Sequence, residues 1–69
     1  MCYAIPGNVK SISGDLVTVD YFGEVRKARN DFYELQVGDY VYAQGGFVVQ
    51  KIDEEDAKEI LETWKELFF

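Results

Sequence analysis

The pattern of apolar and polar residues divides the chain into two parts that meet near Ile52. Up to that residue, short runs of valine, isoleucine, tyrosine, phenylalanine and threonine are separated by glycine-containing turns, which is typical of β-strands. Beyond it, apolar residues recur every three or four positions, which is typical of a helix that packs by one face. No repeat, low-complexity tract or linker interrupts either part, so we expect a single domain over residues 1–69.

The first part predicts five short strands. Turn-forming residues at 13–15, at 22–23 and at 45–46 separate most of them, and the pair Gly45-Gly46 is a favourable hairpin turn. The predicted strands are residues 8–13, 16–21, 24–29, 40–44 and 47–52, with a less regular passage over residues 30–37. Five short strands with tight turns favour a small OB-like β-barrel over residues 8–52, and therefore a mainly β fold.

The second part predicts a C-terminal amphipathic α-helix over residues 53–68. Asp53 is a natural N-cap, and the three carboxylates after it suit the positive end of the helix dipole. The apolar stripe consists of Ala57, Ile60, Leu61, Trp64, Leu67 and Phe68. We expect the stripe to pack on the barrel; alternatively its end, with Trp64 and Phe68, forms an exposed surface for a partner.

The charge of the chain argues against nucleic acid and membranes as partners. Its 13 acidic and 7 basic residues give a net charge of −6, which repels phosphate backbones and anionic lipids. In the one basic concentration, Lys27 and Arg29 share one face of a strand and Arg26 lies on the other. A nucleic-acid-binding OB barrel would need stacking aromatics on a cationic strand face, and a salt-dependent gel shift would reveal it.

Cysteine usage and hydropathy indicate the compartment. A single cysteine cannot form an internal disulfide, so a secreted, disulfide-stapled scaffold is excluded. The sequence shows neither an ordinary signal peptide nor the roughly 20 apolar residues that span a bilayer. We therefore expect a cytoplasmic protein with a free thiol.

The chain offers few groups for catalysis. Histidine is absent, which excludes a Cys–His pair, a Ser-His-Asp triad and any His-ligated metal. Zinc is disfavoured because a structural site needs about four nitrogen or sulfur ligands, and the chain has one thiol. A chain of 69 residues also has little room for a deep pocket, so we expect a binding or carrier module without enzymatic activity.

The remaining candidate is Cys2. Pro6 fixes its own φ and restricts Ile5 to extended geometry, while Gly7 permits a sharp bend into the first strand. Such a leader could direct a thiol into the cleft of another protein. If Met1 is removed, the terminal ammonium favours the thiolate, a soft ligand for low-spin iron, Cu(I) or iron–sulfur centres. One thiolate cannot hold a metal alone, so the metal would be shared with a partner or with non-protein ligands; alternatively, the terminal thiol is incidental.

The motif MCYAIPG at residues 1–7, followed by Val9, resembles the N-terminal signature of the HypC/HupF family of NiFe-hydrogenase assembly chaperones. The block VGDYV at residues 37–41, with Gly46-Phe47, resembles the second block of that family, and residues 51–57 resemble its entry into the C-terminal helix. The resemblance covers essentially the whole chain. It implies a small OB-like barrel with a C-terminal helix and no independent enzymatic activity.

The resemblance also implies a function. Members of the family form a complex with the iron–sulfur protein HypD, on which iron acquires cyanide and carbonyl ligands, and then accompany the Fe(CN)2CO unit to the immature hydrogenase large subunit. Cys2 would contact the iron and both partners, as a transient ligand, with no cofactor stably bound in the isolated chain. The residues that we expect to bind the partners are Cys2, Ala4, Ile5, Pro6, Gly7, Gln44 and Phe47.

One position departs from the family pattern. Members usually carry histidine two residues before the glycine of the Gly-Phe pair, and this chain has Gln44 there. Glutamine keeps a hydrogen-bonding amide but is neither an imidazole ligand nor a proton acceptor near neutral pH. Either the histidine is dispensable for iron handling, which we favour, or the protein is a variant with an altered partner or altered chemistry. The alternative function is a small acidic protein–protein interaction module in which Cys2 has no metal role.

Overall fold

The computed structural model describes residues 5–68, except for the side chain of Phe68. Its elements, in chain order, are β1 (Gly7–Ser13), β2 (Leu16–Tyr21), β3 (Glu24–Arg29), β4 (Tyr40–Gln44), β5 (Phe47–Ile52) and α1 (Glu54–Phe68). These elements confirm the five predicted strands and the helix. The differences are that β1 begins one residue early, at Gly7, and that α1 begins directly after Asp53, whose carbonyl accepts a hydrogen bond from the Ala57 N–H at 2.9 Å.

The five strands close into a barrel in the order β1-β2-β3-β5-β4, with β4 returning to β1. All neighbours are antiparallel except β3 and β5, which run parallel and meet in one register pair, Arg29 with Phe47. The Arg29 N–H donates to the carbonyl of Gly46 at 2.7 Å beside this pair. The predicted mainly β fold, an OB-like five-stranded barrel followed by a helix, is therefore confirmed.

The inner faces of the strands form a core of small side chains. Val17 and Val19 are fully buried, and Tyr21 packs against them, as the alternation along β2 predicts. The buried core cluster consists of Val9, Val17, Val19, Ala28, Val41 and Val48. The core of the described barrel thus consists of valine and alanine side chains, and the clefts described below open at its surface.

The apolar stripe of the helix is most deeply buried at its beginning, and Ile60, Leu61 and Trp64 beyond it are half-buried. Ala57 is fully buried, and Ile60 lines a cleft of about 430 Å³ together with Tyr42 of β4 and Ile52 of β5. Leu67, near the other end, is 70% exposed. The prediction that the stripe packs on the barrel is therefore confirmed for its beginning and wrong for Leu67. No helix within residues 5–68 is long and apolar enough to cross a membrane.

Candidate functional site

A groove of about 660 Å³ opens at the end of the barrel where β1 begins and β2 ends. We call it the mouth groove. Its lining residues are Ile5, Val19, Tyr21, Phe22, Glu24, Arg26, Lys27, Ala28, Ala43, Gly45 and Gly46. One side is thus formed by β2 and β3, and the other by the turn between β4 and β5. The groove lies along the seam where β3 and β5 are joined by a single register pair.

The leader joins the barrel beside this groove. Ile5 is half-buried and lines the groove, and Pro6 is fully buried. Gly7 is buried in β1, where it pairs with Val41 of β4. The structure therefore brings the predicted residues Ile5, Pro6 and Gly7 together and fixes the point from which the N-terminal residues depart.

Gly7 is needed because its neighbours leave no space for a side chain, whereas the sequence suggested that it permits a bend. A Cβ atom at this position would lie 2.1 Å from Cγ1 of Val19 and 2.8 Å from Cε1 of Tyr21. Real Cβ atoms essentially never approach other atoms so closely, so only glycine fits without movement of its neighbours. The prediction of a sharp bend at Gly7 is wrong, because the residue lies within a strand that continues to Ser13.

Cys2 and Ala4, the other two predicted residues of the leader, lie outside the described residues. Chain length nevertheless limits where Cys2 can be, since it precedes Ile5 by three positions. Three extended residues span at most about 11 Å, and this is the upper limit of the distance between the two Cα atoms. Chain length thus permits Cys2 to reach the mouth groove, which Ile5 lines.

Gln44 and Phe47 flank the turn that borders the groove. They are register partners at the end of β4 and the start of β5, and both are exposed, Phe47 by 52%. The turn between them is Gly45-Gly46, whose φ angles of +60° and +85° favour glycine. The predicted partner-binding residues on this hairpin are thus accessible and adjacent to the mouth groove, although neither lines it.

Two charged residues of the groove were missed by reasoning from sequence. In β3, Arg26 is the register partner of buried Val19, and Glu24 is the partner of Tyr21, so both lie on the inner face of the barrel. Nη2 of Arg26 donates to Oε1 of Glu24 at 2.6 Å, and both side chains are more than half exposed. The predicted separation of Arg26 from Lys27 is confirmed, since Lys27 pairs with Thr18 on the outer face.

The third basic residue of β3 is engaged elsewhere. Nε of Arg29 donates to Oδ1 of Asp31 at 2.8 Å, and this hydrogen bond, together with the carboxylate charge, raises the pKa of the Arg29 guanidinium. The Arg29 side chain is therefore bound to a residue of the loop that follows β3. Arg29 thus lies apart from Arg26 and Lys27, which both line the groove, so the three basic residues of this strand do not form one cationic surface.

The described residues cannot assemble a metal centre of their own. Within residues 5–68, no three carboxylates or other ligating side chains are grouped closely enough to hold a metal ion. The chain also lacks histidine, and its one thiol is Cys2. Residues 5–68 therefore offer no ready-made group of three ligands to a metal bound through Cys2.

A small OB-like barrel that buries Pro6 and Gly7 at the start of β1, followed by a C-terminal helix and preceded in sequence by the motif with Cys2, defines the class of protein. The chain belongs to the HupF/HypC family, whose model matches residues 1–64. This match confirms the resemblance that the motifs at both ends of the chain indicated.

Three relatives, each named hydrogenase maturation factor HypC, are similar over most of their length. The relative from Helicobacter hepaticus is 37% identical over 70 residues, which cover 97% of this chain and 81% of the relative. The relative from Azotobacter chroococcum is 38% identical over 69 residues, which cover 97% of this chain and 82% of the relative. The relative from a Synechocystis species is 38% identical over 68 residues, covering 88% and 90%.

Proposed function

We propose that this protein is a cytoplasmic hydrogenase maturation chaperone without enzymatic activity. It binds HypD and carries the Fe(CN)2CO unit to the immature large subunit of a NiFe hydrogenase. The proposal is supported by membership of the HupF/HypC family, by the names of the relatives and by the cysteine motif at residues 1–7. The observation that carries it is the anchoring of residues 5–7: Pro6 is fully buried and Ile5 lines the mouth groove, three positions after Cys2 in the sequence.

In this proposal the barrel anchors the segment that carries one soft metal ligand, the Cys2 thiolate. Buried Pro6 and Gly7 fix the origin of the leader, which limits the volume that the sulfur of Cys2 can sample. Restricting that volume lowers the entropy lost when the thiolate enters the metal pocket of a partner. The exposed hairpin residues Gln44 and Phe47 flank the opening and offer an amide and an aromatic face to the same partner.

The transfer is an exchange of ligands on iron. A bond from the Cys2 sulfur to iron forms as a ligand of HypD leaves, and it breaks when a ligand of the large subunit replaces it. Cyanide and carbon monoxide remain on the iron throughout, and the oxidation state of the iron does not change. Because the cargo must leave again, we expect a restrained interface, near or below about 800 Å² per partner.

The test is complementation of a strain that lacks its native chaperone, together with pull-down of HypD. We expect Cys2→Ala to abolish hydrogenase activity, because no other thiol can replace the ligand. A matched control moves the thiol: the double variant Cys2→Ala/Ser13→Cys carries it on exposed Ser13, at the far end of β1. This variant should remain inactive.

Two results would contradict the proposal. Full activity and unchanged HypD binding of Cys2→Ala would instead favour the interaction module in which Cys2 has no metal role. Recovery of activity by the Ser13 thiol would show that any exposed thiol suffices and that the anchored leader is irrelevant.

A further inference from the structure

The inner face of β3 carries a charge where the barrel pattern calls for an apolar side chain. Arg26 lies between Ala28 and Glu24 on that face and opposite buried Val19, whereas Val25 faces outward and is 58% exposed. The usual alternation places apolar residues inside and polar residues outside. A local reversal of this rule is expected at functional sites, where a side chain is retained for a purpose other than packing.

The position of Arg26 places its guanidinium at the groove beside the leader. Arg26, Lys27 and Ile5 line the same groove, and Cys2 lies at most about 11 Å from Ile5 along the chain. The groove carries two cationic residues and one anionic residue, Glu24, whereas the protein as a whole has a net charge of −6. The opening near the thiol is thus a locally positive site on an acidic protein.

We propose that Arg26, assisted by Lys27 at the rim, donates hydrogen bonds to the cyanide ligands of the iron unit carried by Cys2. The inference rests on the proposed function and assigns a binding role to two further residues. Iron-bound cyanide bears negative charge and a lone pair on nitrogen, and a guanidinium offers five N–H donors that form short, charge-assisted hydrogen bonds. Carbon monoxide is a poor acceptor, so these donors would distinguish the two kinds of ligand.

The ion pair with Glu24 does not prevent this role. Both side chains are exposed, by 68% for Arg26 and 65% for Glu24, and exposed pairs of this kind are weak. One N–H of the Arg26 guanidinium donates the 2.6 Å hydrogen bond to Glu24, and the other N–H groups remain for other acceptors. Cyanide and the Glu24 carboxylate then compete for the donors of Arg26. Removal of the Glu24 charge should therefore strengthen retention of the cargo.

The experiment is anaerobic co-purification of the full chain with HypD, followed by infrared spectroscopy and iron analysis. The variants are Arg26→Gln, Arg26→Gln/Lys27→Gln, Glu24→Gln and, as a matched cation control on the same strand, Arg29→Gln. Because these side chains are exposed, the substitutions leave the core intact. We expect the double variant to shift the CN-stretching bands and to lose iron about tenfold faster on gel filtration, the effect of about one charge-assisted hydrogen bond.

Each control has its own expected result. Arg29→Gln should leave the bands and the iron content unchanged, because its guanidinium is paired with Asp31 outside the groove. Glu24→Gln should retain iron longer than the wild type, and unchanged or faster loss of iron would contradict the inference. If the Arg26–Glu24 ion pair had only a structural role, Glu24→Gln and Arg26→Gln would both break it and would change iron retention in the same direction. Opposite effects on iron retention therefore exclude a purely structural role.

The same spectra separate failure of this inference from failure of the proposed function. If Cys2→Ala changes the bands while Arg26→Gln/Lys27→Gln leaves bands and iron unchanged, the inference is wrong and the carrier function stands. If Cys2→Ala also leaves the bands unchanged, the carrier function itself fails. If the double variant no longer binds HypD, the two cations belong to the protein interface and the inference is again wrong.

Discussion

At the scale of single residues, the anchoring of the leader depends on the contact of the Gly7 backbone with two side chains. The nearest atoms to a Cβ at this position belong to Val19 in the core and Tyr21 in the mouth groove. A change at Gly7 therefore acts on the packing of the barrel and on the shape of the groove together.

We predict that Gly7→Ala destabilises the protein by about 1–3 kcal/mol, the usual cost of overpacking a core, because Val19 and Tyr21 must move. Urea denaturation measures the loss, and NMR resonances of Tyr21 report the displacement. In the control Gly14→Ala, the φ of +59° costs about 1 kcal/mol but nothing lies near the new methyl group. The Tyr21 resonances should stay in place there. Wild-type stability of Gly7→Ala would contradict the contact.

Residues are also where prediction from sequence reached its limit. A glycine after a proline suggests a bend, but the need for Gly7 arises from side chains that the barrel brings next to it. The inner position of Arg26 follows from the period of two in β3, and sequence reasoning did separate it from Lys27. Sequence could not show which face was inside, because that depends on the pairing of β3 with β2.

At the scale of elements, the helix is joined to the barrel at its beginning. Ala57 in the first turn is fully buried, whereas Leu67 near the end is mostly exposed. Periodicity correctly predicted the helix and its apolar stripe, since both are local properties of the sequence. How much of the stripe would be covered was not predictable, because it depends on how far the barrel extends beneath it.

We expect Ala57→Leu to cost about 1–3 kcal/mol, since the larger side chain has no space at a fully buried position. The matched substitution Leu67→Ala should change stability by less than about 0.5 kcal/mol, because the side chain is already exposed and alanine favours helix. Chemical denaturation of both variants is the measurement. Equal losses at the two positions would show that the end of the helix is packed as firmly as its start.

The start of the helix also carries a salt bridge with a defined pH dependence. Nζ of Lys58 lies 2.9 Å from Oε1 of Glu54, and this hydrogen bond raises the pKa of Lys58 above its ordinary value of 10.5. A base with a raised pKa stabilises the fold below its unfolded pKa and loses that effect as the pH rises through the folded pKa.

We therefore predict that Lys58→Met is slightly less stable than the wild type near neutral pH and that the difference disappears above pH 10.5. Thermal melts of the two proteins near neutral pH and near pH 11 give the comparison. Since the pair is exposed, the neutral-pH difference should shrink in high salt. A stability difference between the two proteins that widens at alkaline pH would show that the Lys58–Glu54 pair does not stabilise the fold in this way.

At the scale of the whole molecule, the barrel brings three segments that are distant in sequence together at one groove. The leader at residues 5–7, β3 and the hairpin around Gly45 lie far apart in sequence and meet at the mouth groove. Turn residues and strand alternation predicted the barrel, and motifs predicted the family. The groove could not be predicted, because it is created by the single parallel register pair of β3 and β5, which leaves the seam open beside it.

The acidic surface is compatible with the carrier function that we propose, in which the cargo must be released. A net charge of −6 makes binding to an anionic iron unit dependent on local groups, and the described chain supplies no metal centre between residues 5 and 68. Retention then depends on the Cys2 ligand and on the groove that we propose beside it. Such a division keeps the affinity low enough for transfer to the client protein.

The most direct test of the account is the infrared spectrum of the complex purified anaerobically with HypD, compared between the wild type and Cys2→Ala. The account predicts CN- and CO-stretching bands in the wild-type complex. In the variant these bands should be lost or displaced, because the thiolate no longer donates to the iron. Bands of the same position and intensity in both complexes would contradict the central claim.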